Sequence, residues 1–192
     1  VDSAREAAQR IGFPLVVKPS GGGGGMGMQV VAHMGDLETA LAQAQAVADA
    51  AFANGGLYLE RWIEKPRHIE YQILADEQGN TMHLFERECS VQRRHQKLIE
   101  ESPAPGIDTT VLREQAQRGA DICARLAYNN LGTMETLYSD GESGFLEMNT
   151  RIQVEHGVTE AVTGIDLVQQ QILLSAGGNL PERPPSMKGH AI

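Results

Sequence analysis

The chain has 192 residues, 41% of them hydrophobic, and a formal net charge of −9, enough for one domain with a core or one with a small satellite. The acidic balance argues against a nucleic-acid binder, which carries a basic stripe, and leaves room for a small anionic ligand in a local basic pocket. The sequence holds no run of 18 apolar residues and no apolar signal segment in VDSAREAAQR, and its two cysteines, Cys89 and Cys123, lack metal-ligand spacing; the expectation is reduced thiols in a cytoplasmic or similarly reducing compartment.

Ser3-Ala4-Arg5-Glu6 has the spacing of a capping box, and Gly12 with Pro14 closes the helix that follows. Leu15 to Lys18 reads as a short buried strand, and strand character resumes from Met28 to His33 after a glycine run. Asp36 caps an alanine-rich helix to about Phe52, and Leu57 to Trp62 is another strand. Residues 1 to about 60 therefore read as one small subdomain, and 61–192 as part of a larger one. There Arg67–Ala75 and Thr81–Glu86 flank the turn Asp76–Asn80, a hairpin by its turn chemistry. Arg87 to Lys97 reads as a polar, basic loop, a pattern that is usually solvated. Thr109 or Thr110 starts a helix to about Ala127. Gly132–Tyr138 and Gly144–Asn149 surround Ser139–Ser143 as a second hairpin, and Asp166 caps a last helix ending near Gly177. Hairpins mixed with helices predict an α+β fold with an antiparallel sheet. With no initiator Met, and with Lys188-Gly189-His190-Ala191-Ile192 stopping as an apolar run begins, the chain is expected to be an internal piece of a longer enzyme.

Two features carry chemistry. Gly21 to Gly25, Met26 and Gly27 join two strands rather than opening a helix, which excludes a P-loop and a dinucleotide fingerprint. Such a loop suits a flexible cover over a triphosphate, with the Lys18 ammonium on an α- or β-phosphate; the alternative is a floppy surface hairpin. In the second hairpin, centring on Gly141 places Glu135 opposite Glu147, with Asn149 on their face. Like charges ~4.5–5.5 Å apart repel, and a divalent cation removes the conflict. Two carboxylates and an amide oxygen give Mg²⁺ or Mn²⁺ a hard-oxygen shell; a register shifted by one would leave one glutamate exposed. Just beyond, Arg151 and Glu155 offer a guanidinium and a carboxylate beside any bound phosphate, a clamp next to a general base, or else a surface ion pair. His68 and Trp62 taken alone read as a structural hydrogen-bonder and a core residue.

Together these segments resemble the biotin carboxylases of the ATP-grasp superfamily. The matching strings are KPSGGGGGMGM (Lys18 to Met28), PRHIE (Pro66 to Glu70), ERECSVQRRHQK (Glu86 to Lys97) and EMNTRIQVEH (Glu147 to His156). The resemblance implies an ATP-grasp fold, residues 1–60 forming its glycine-loop lid and 61–192 part of its main domain. It implies an ATP-dependent ligase that activates bicarbonate through carboxyphosphate and passes the carboxyl group to biotin on a carrier protein. Lys18, Gly24 and Gly25 would hold phosphates, with Met28 and Leu137 as further nucleotide contacts. Glu60, Arg61, Trp62 and Ile63 would meet adenine, and His68, Gln92 and His95 would line the same site. Glu135 and Glu147 would bind metal with Asn149 assisting. Lys97, Arg151, Gln153 and Val154 would hold bicarbonate, Glu155 would deprotonate it, and Arg151 would also stabilise charge in transfer.

The implied partners are a biotin carboxyl carrier protein and a carboxyltransferase, with a homodimer as a further expectation and neither nucleic acid nor membrane. The family's Rossmann-like subdomain and an arginine that steadies the biotin enolate fall outside this sequence. Gly157, Met26, Met134 and Thr136 depart from the family's usual proline, arginine and aromatics. Two competing readings are another ATP-grasp ligase of the carbamoyl phosphate synthetase type and a non-catalytic nucleotide-binding fragment.

Overall fold

The structure is a computed structural model that describes residues 2–21, 25–52, 55–94, 96–182 and 186–192. The chain divides into two compact units, Val1–Glu64 and Lys65–Ile192.

In the first unit, β1 (Leu15–Pro19) runs between β2 (Gln29–Val31) and β3 (Leu57–Arg61) in an antiparallel sheet. Helices α1 (Asp2–Ile11) and α2 (Leu37–Ala51) complete it. Ala40, Ala44 and Ala48 recur every fourth residue on the buried face of α2, and Ala40 and Ala44 join Leu15, Val17 and Val31 in the core. Ser3 does not cap α1, because the helix already includes Asp2. Asp36 precedes α2 as read, yet its side chain accepts no capping bond; a 3₁₀ turn, Met34–Asp36, has already brought its backbone to helical angles. Gly12 ends α1 at φ +83°, its N–H donating to the Ala8 carbonyl at 2.9 Å.

The second unit is built on a five-stranded antiparallel sheet in the order β6-β5-β4-β7-β8. Its strands are β4 (Arg67–Ala75), β5 (Thr81–Arg93), β6 (Gln96–Glu101), β7 (Asn130–Ser139) and β8 (Glu142–Asn149). The two-residue period of β4 sends Ile69, Tyr71 and Ile73 to one face, where they pack with Met134 against Leu112, Ala116, Ala120 and Cys123 of α3 (Thr109–Arg125). The opposite face is split along its length. Leu74, Leu84 and Leu131 pack under Leu167 and Leu174 of α5 (Leu167–Ser175), while His68, Glu70 and Gln72 form a polar end. Asp166 caps α5 by accepting from the Gln169 N–H at 2.8 Å.

One sequence expectation fails here, and one helix goes unforeseen. Arg87 to Lys97 is not a solvated loop: β5 continues to Arg93 and β6 starts at Gln96. Register shifts on either side of Val91 interrupt the alternation that marks a strand, and the side chains facing the polar end are themselves polar. Helix α4 (His156–Thr163) was also unread; it starts directly after Glu155 and buries only Thr159 and Val162.

Candidate active site

Strand register assembles the site. Arg87 of β5 stands opposite Glu70 of β4, Glu70 opposite Glu135 of β7, and Glu135 opposite Glu147 of β8. One cation and three carboxylates thus form a row across four strands. Arg87 and Glu70 have no solvent exposure and Glu135 has 4%, whereas Glu147 is half-buried. A parallel row, Gln72–Thr133–Asn149, lies two residues along.

The Glu135–Glu147 pairing arises by a less direct route than a hairpin centred on Gly141. The turn is Asp140–Gly141, with φ +51° and +86°, and Ser139 pairs with Glu142. That register carried onward would set Glu135 opposite Leu146. A bulge between Glu135 and Thr136 adds the residue that brings Glu147 into place. A second bulge acts on the other side of the row. Ala75 pairs with Thr81, which extrapolates to Glu86 opposite Glu70, but the register shifts between Tyr71 and Ile73, with Phe85 at φ +64°. Arg87 therefore joins the polar face, and Glu86 turns away to accept the Ala104 N–H at 3.1 Å.

Lys97 ties the row to the segment before α4. Its ammonium donates to Glu155 Oε1 at 2.6 Å, to Glu135 Oε1 at 2.9 Å and to Glu70 Oε1. Glu135 Oε1 also accepts from Asn149 Nδ2 and Gln153 Nε2, both at 2.8 Å. On the other side, His68 Nε2 lies 2.9 Å from Glu135 Oε2. The Gln92 amide nitrogen is 3.0 Å from His68 Nδ1 and 2.8 Å from the Cys89 carbonyl. Gln92 therefore donates to Nδ1, which places the ring proton on Nε2, facing the carboxylates. Burial opposes ionisation of Glu135, but the bonds from His68 and Lys97 outweigh it and draw its carboxyl down to about 2. Glu155 shifts downward by the same balance, burial opposing and the Lys97 bond prevailing.

Arg87 is the largest fully buried side chain among the described residues. It donates to Glu70 Oε2 through Nε at 3.3 Å and Nη2 at 3.1 Å, to Gln72 Oε1 and Thr159 Oγ1 at 2.8 Å each, to Thr133 Oγ1 at 3.3 Å and to Gln153 Oε1 at 2.8 Å. Burial lowers its proton affinity, yet a guanidinium stays charged.

The remaining site expectations are placed less tightly. Arg151 is exposed and donates to the Ile152 carbonyl at 3.2 Å. Val154 is 97% exposed, and Leu137, partly buried, stands opposite His68. In the first unit Lys18 and Glu60 form an ion pair, and the Met28 N–H meets the Gly25 carbonyl at 3.4 Å. Arg61 is exposed, and Trp62 and Ile63 are partly buried. The Trp62 N–H is taken by the Pro14 carbonyl at 3.1 Å. Gly27 holds φ +76° with Val47 so near that a Cβ would come within 2.9 Å of its methyl, so this end of the glycine run admits no side chain. Gly24 and His95 lie outside the described residues.

Glu70, Gln72, Arg87, Thr133 and Thr159 were not singled out from the sequence. The one available signal was Glu70, two residues from His68 and hence on the same strand face.

The donor set suits a hard divalent cation. Glu135 and Glu147 face each other across a strand pair, and Asn149 spends only its Nδ2 on Glu135, leaving its carbonyl oxygen as a third hard ligand. Glu70, Glu135, Glu147 and Glu155 outnumber Lys97 and Arg87 by two charges, a surplus that favours an added cation.

The chain belongs to the family described as the carbamoyl-phosphate synthase L chain, ATP binding domain, whose model matches residues 1–183; its fold is ATP-grasp. Within that class it is similar to biotin carboxylases. It is 53% identical over 189 residues to the biotin carboxylase of Allochromatium vinosum, a match covering 97% of this chain and 42% of that protein. The Campylobacter jejuni biotin carboxylase, solved as a βγ-ATP complex, superposes with a TM-score of 0.94 at 43% identity, covering 98% of this chain and 43% of the other. The biotin carboxylase domain dimer of Hydrogenobacter thermophilus 2-oxoglutarate carboxylase, solved with MgADP, ADP and bicarbonate, gives 0.93 at 40% identity, covering 98% and 42%. The chain therefore spans less than half the length of these relatives.

Proposed function

We propose that this chain supplies most of the MgATP and bicarbonate site of a biotin carboxylase, an ATP-dependent ligase that carboxylates biotin on a carrier protein. Residues 1–60 serve as its glycine-loop lid and 61–192 as part of its main domain. The observation that carries this reading is the Lys97 ammonium, held between Glu155 and the Glu70–Glu135 row. A cation so placed can take up a small oxyanion beside a carboxylate base.

In this arrangement Lys97 keeps Glu155 ionised, the state a base requires, but weakens its basicity. When bicarbonate takes over the ammonium, Glu155 loses that bond and recovers the basicity needed to accept bicarbonate's proton. Gln153 and Arg151 supply further donors to the anion, and the Val154 backbone lies in the same segment. Lys18, paired with Glu60, would contact nucleotide phosphate; Gly24, Gly25 and Met28 in the first unit, and Leu137, His68, Gln92 and His95 in the second, are the further nucleotide-binding residues of this reading. Residues Glu60 to Ile63 contact adenine. Glu135, Glu147 and Asn149 would hold Mg²⁺ or Mn²⁺, which neutralises phosphate charge.

The partners are a biotin carboxyl carrier protein and a carboxyltransferase in the cytoplasm, and the dimer of the Hydrogenobacter domain supports a homodimer. No described helix is long and apolar enough to cross a membrane. The test is ADP release by the parent enzyme, this chain joined to the segments that flank it in its relatives, with MgATP, free biotin and varied bicarbonate. Turnover dependent on both substrates and lost in Glu155→Gln is expected. ATP hydrolysis indifferent to both would leave a nucleotide site alone.

A further inference from the structure

We infer that Arg87, which touches neither base nor nucleotide in the reading above, is the positioning residue that presents Gln153 and Lys97 to bicarbonate. The inference rests on the biotin carboxylase reading and on the geometry of one buried fork.

A glutamine side chain has two chemically opposite ends, and rotation by half a turn exchanges them. Arg87 Nη2 donates to Gln153 Oε1 at 2.8 Å, and a guanidinium has only donors. The Gln153 oxygen must therefore face Arg87, and its NH₂ must face the site, where it now meets Glu135 Oε1 at 2.8 Å. An anion arriving beside Lys97 encounters a donor at Gln153 and not a repelling carbonyl. Arg87 sets Gln72 by the same logic: Nη1 takes its Oε1, and its Nε2 donates to the Gly132 carbonyl at 3.0 Å.

The second action is through charge. Arg87 engages Glu70 only at Oε2, leaving Oε1 for Lys97. Glu70 is wholly buried, so without Arg87 its carboxylate lacks a compensating charge on that side and competes harder for the Lys97 ammonium. The third contact, to Thr159 Oγ1 at 2.8 Å, anchors α4 and with it Glu155, the residue at its N-terminal end. Lysine cannot reproduce this, since a point charge on a flexible stem cannot serve a carboxylate, two amides and two hydroxyls at once.

The test uses the parent enzyme with Arg87→Lys, Gln153→Asn and the double variant. Arg87→Lys is expected to raise the KM for bicarbonate by about 10-fold or more, as loss of an orienting partner behind a binding group does, with the KM for MgATP within about twofold. The two substitutions are expected to be non-additive, the double variant no worse than the poorer single, because Arg87 acts through Gln153. An unchanged bicarbonate KM, a parallel rise for both substrates, or additive effects would overturn the inference while leaving the carboxylase reading intact. A wild-type enzyme without bicarbonate-dependent ADP release would overturn that reading and this inference with it. Should Arg87→Lys fail to fold, Thr159→Val keeps the guanidinium and removes one acceptor. A rise in bicarbonate KM of about twofold or more, at constant MgATP KM, is then expected; no change would overturn the assignment.

Discussion

The β7–β8 and β5–β6 hairpins bring opposite charges to one face of the same sheet, by different physical means. β7–β8 delivers carboxylates from a tight Asp140–Gly141 turn, and its outermost residue, Glu147, remains half-buried. β5–β6 delivers the cations: Arg87 from full burial, saturated by five partners, and Lys97 from a largely covered position. Glu70 of β4 lies between them and is bonded to both cations. At the outer end of the anionic side Glu147 keeps water access, while Arg87, Glu70 and Glu135 are buried and fixed by their partners. A ligand can remodel the first at small cost and depends on the second being fixed.

The largest expected effect is on the buried side. Arg87→Met removes one of the two cations bonded to the wholly buried Glu70 and strands the amide and hydroxyl groups that Arg87 serves, and should cost about 3–5 kcal/mol in urea unfolding. Glu147→Gln at the open end should cost less than about 1 kcal/mol. Similar losses at the two positions would show that burial does not distinguish the two hairpins.

Acid should act on the carboxylate side next. The Glu135 carboxyl lies near 2 in the folded protein against an ordinary 4.5, so its contribution is fully present above about pH 4.5 and is lost as pH falls toward 2. The contribution is on the order of 3 kcal/mol. Stability measured from pH 6 to pH 3 should fall in the wild type and be flatter in Glu135→Gln. Glu155, shifted the same way, adds in the same direction.

The smallest effect is at the turn. Gly141→Ala at φ +86° should lower stability by about 1 kcal/mol and leave the Glu135–Glu147 pairing intact, since the bulge and not the turn sets that register. Loss of the Glu135–Glu147 cross-strand contact from the NMR spectrum of this variant would show that the turn governs the pairing after all.

The same contrast explains what the sequence revealed. β7–β8 was legible because Asp-Gly between apolar alternations marks a hairpin, and Glu135 opposite Glu147 came out correctly. It did so because a centre misplaced at Gly141 offset an unseen bulge. β5–β6 was illegible because Arg93-Arg94-His95 has no turn residue, with Arg94 itself at φ +52°. Its strands carry polar side chains toward a polar face, so neither propensity nor alternation showed them. Composition placed Arg87 in solvent; only a second bulge, at Phe85, decides that Arg87 and not Glu86 enters the row. The α+β class, the hairpin chemistry and the Asp166 cap were local properties and were readable. The Arg87–Glu70–Lys97 relation depends on register across three strands, and one sequence does not encode it visibly.

Under the proposed function, bicarbonate is activated for transfer to biotin. The most direct measurement is transfer of isotope-labelled bicarbonate by the parent enzyme with MgATP and either free biotin or ammonia. Label is expected on biotin, dependent on ATP and abolished in Glu155→Gln. Ammonia-dependent ADP release with no labelled biotin would contradict it and assign the chain to a carbamoyl phosphate synthetase type of ligase.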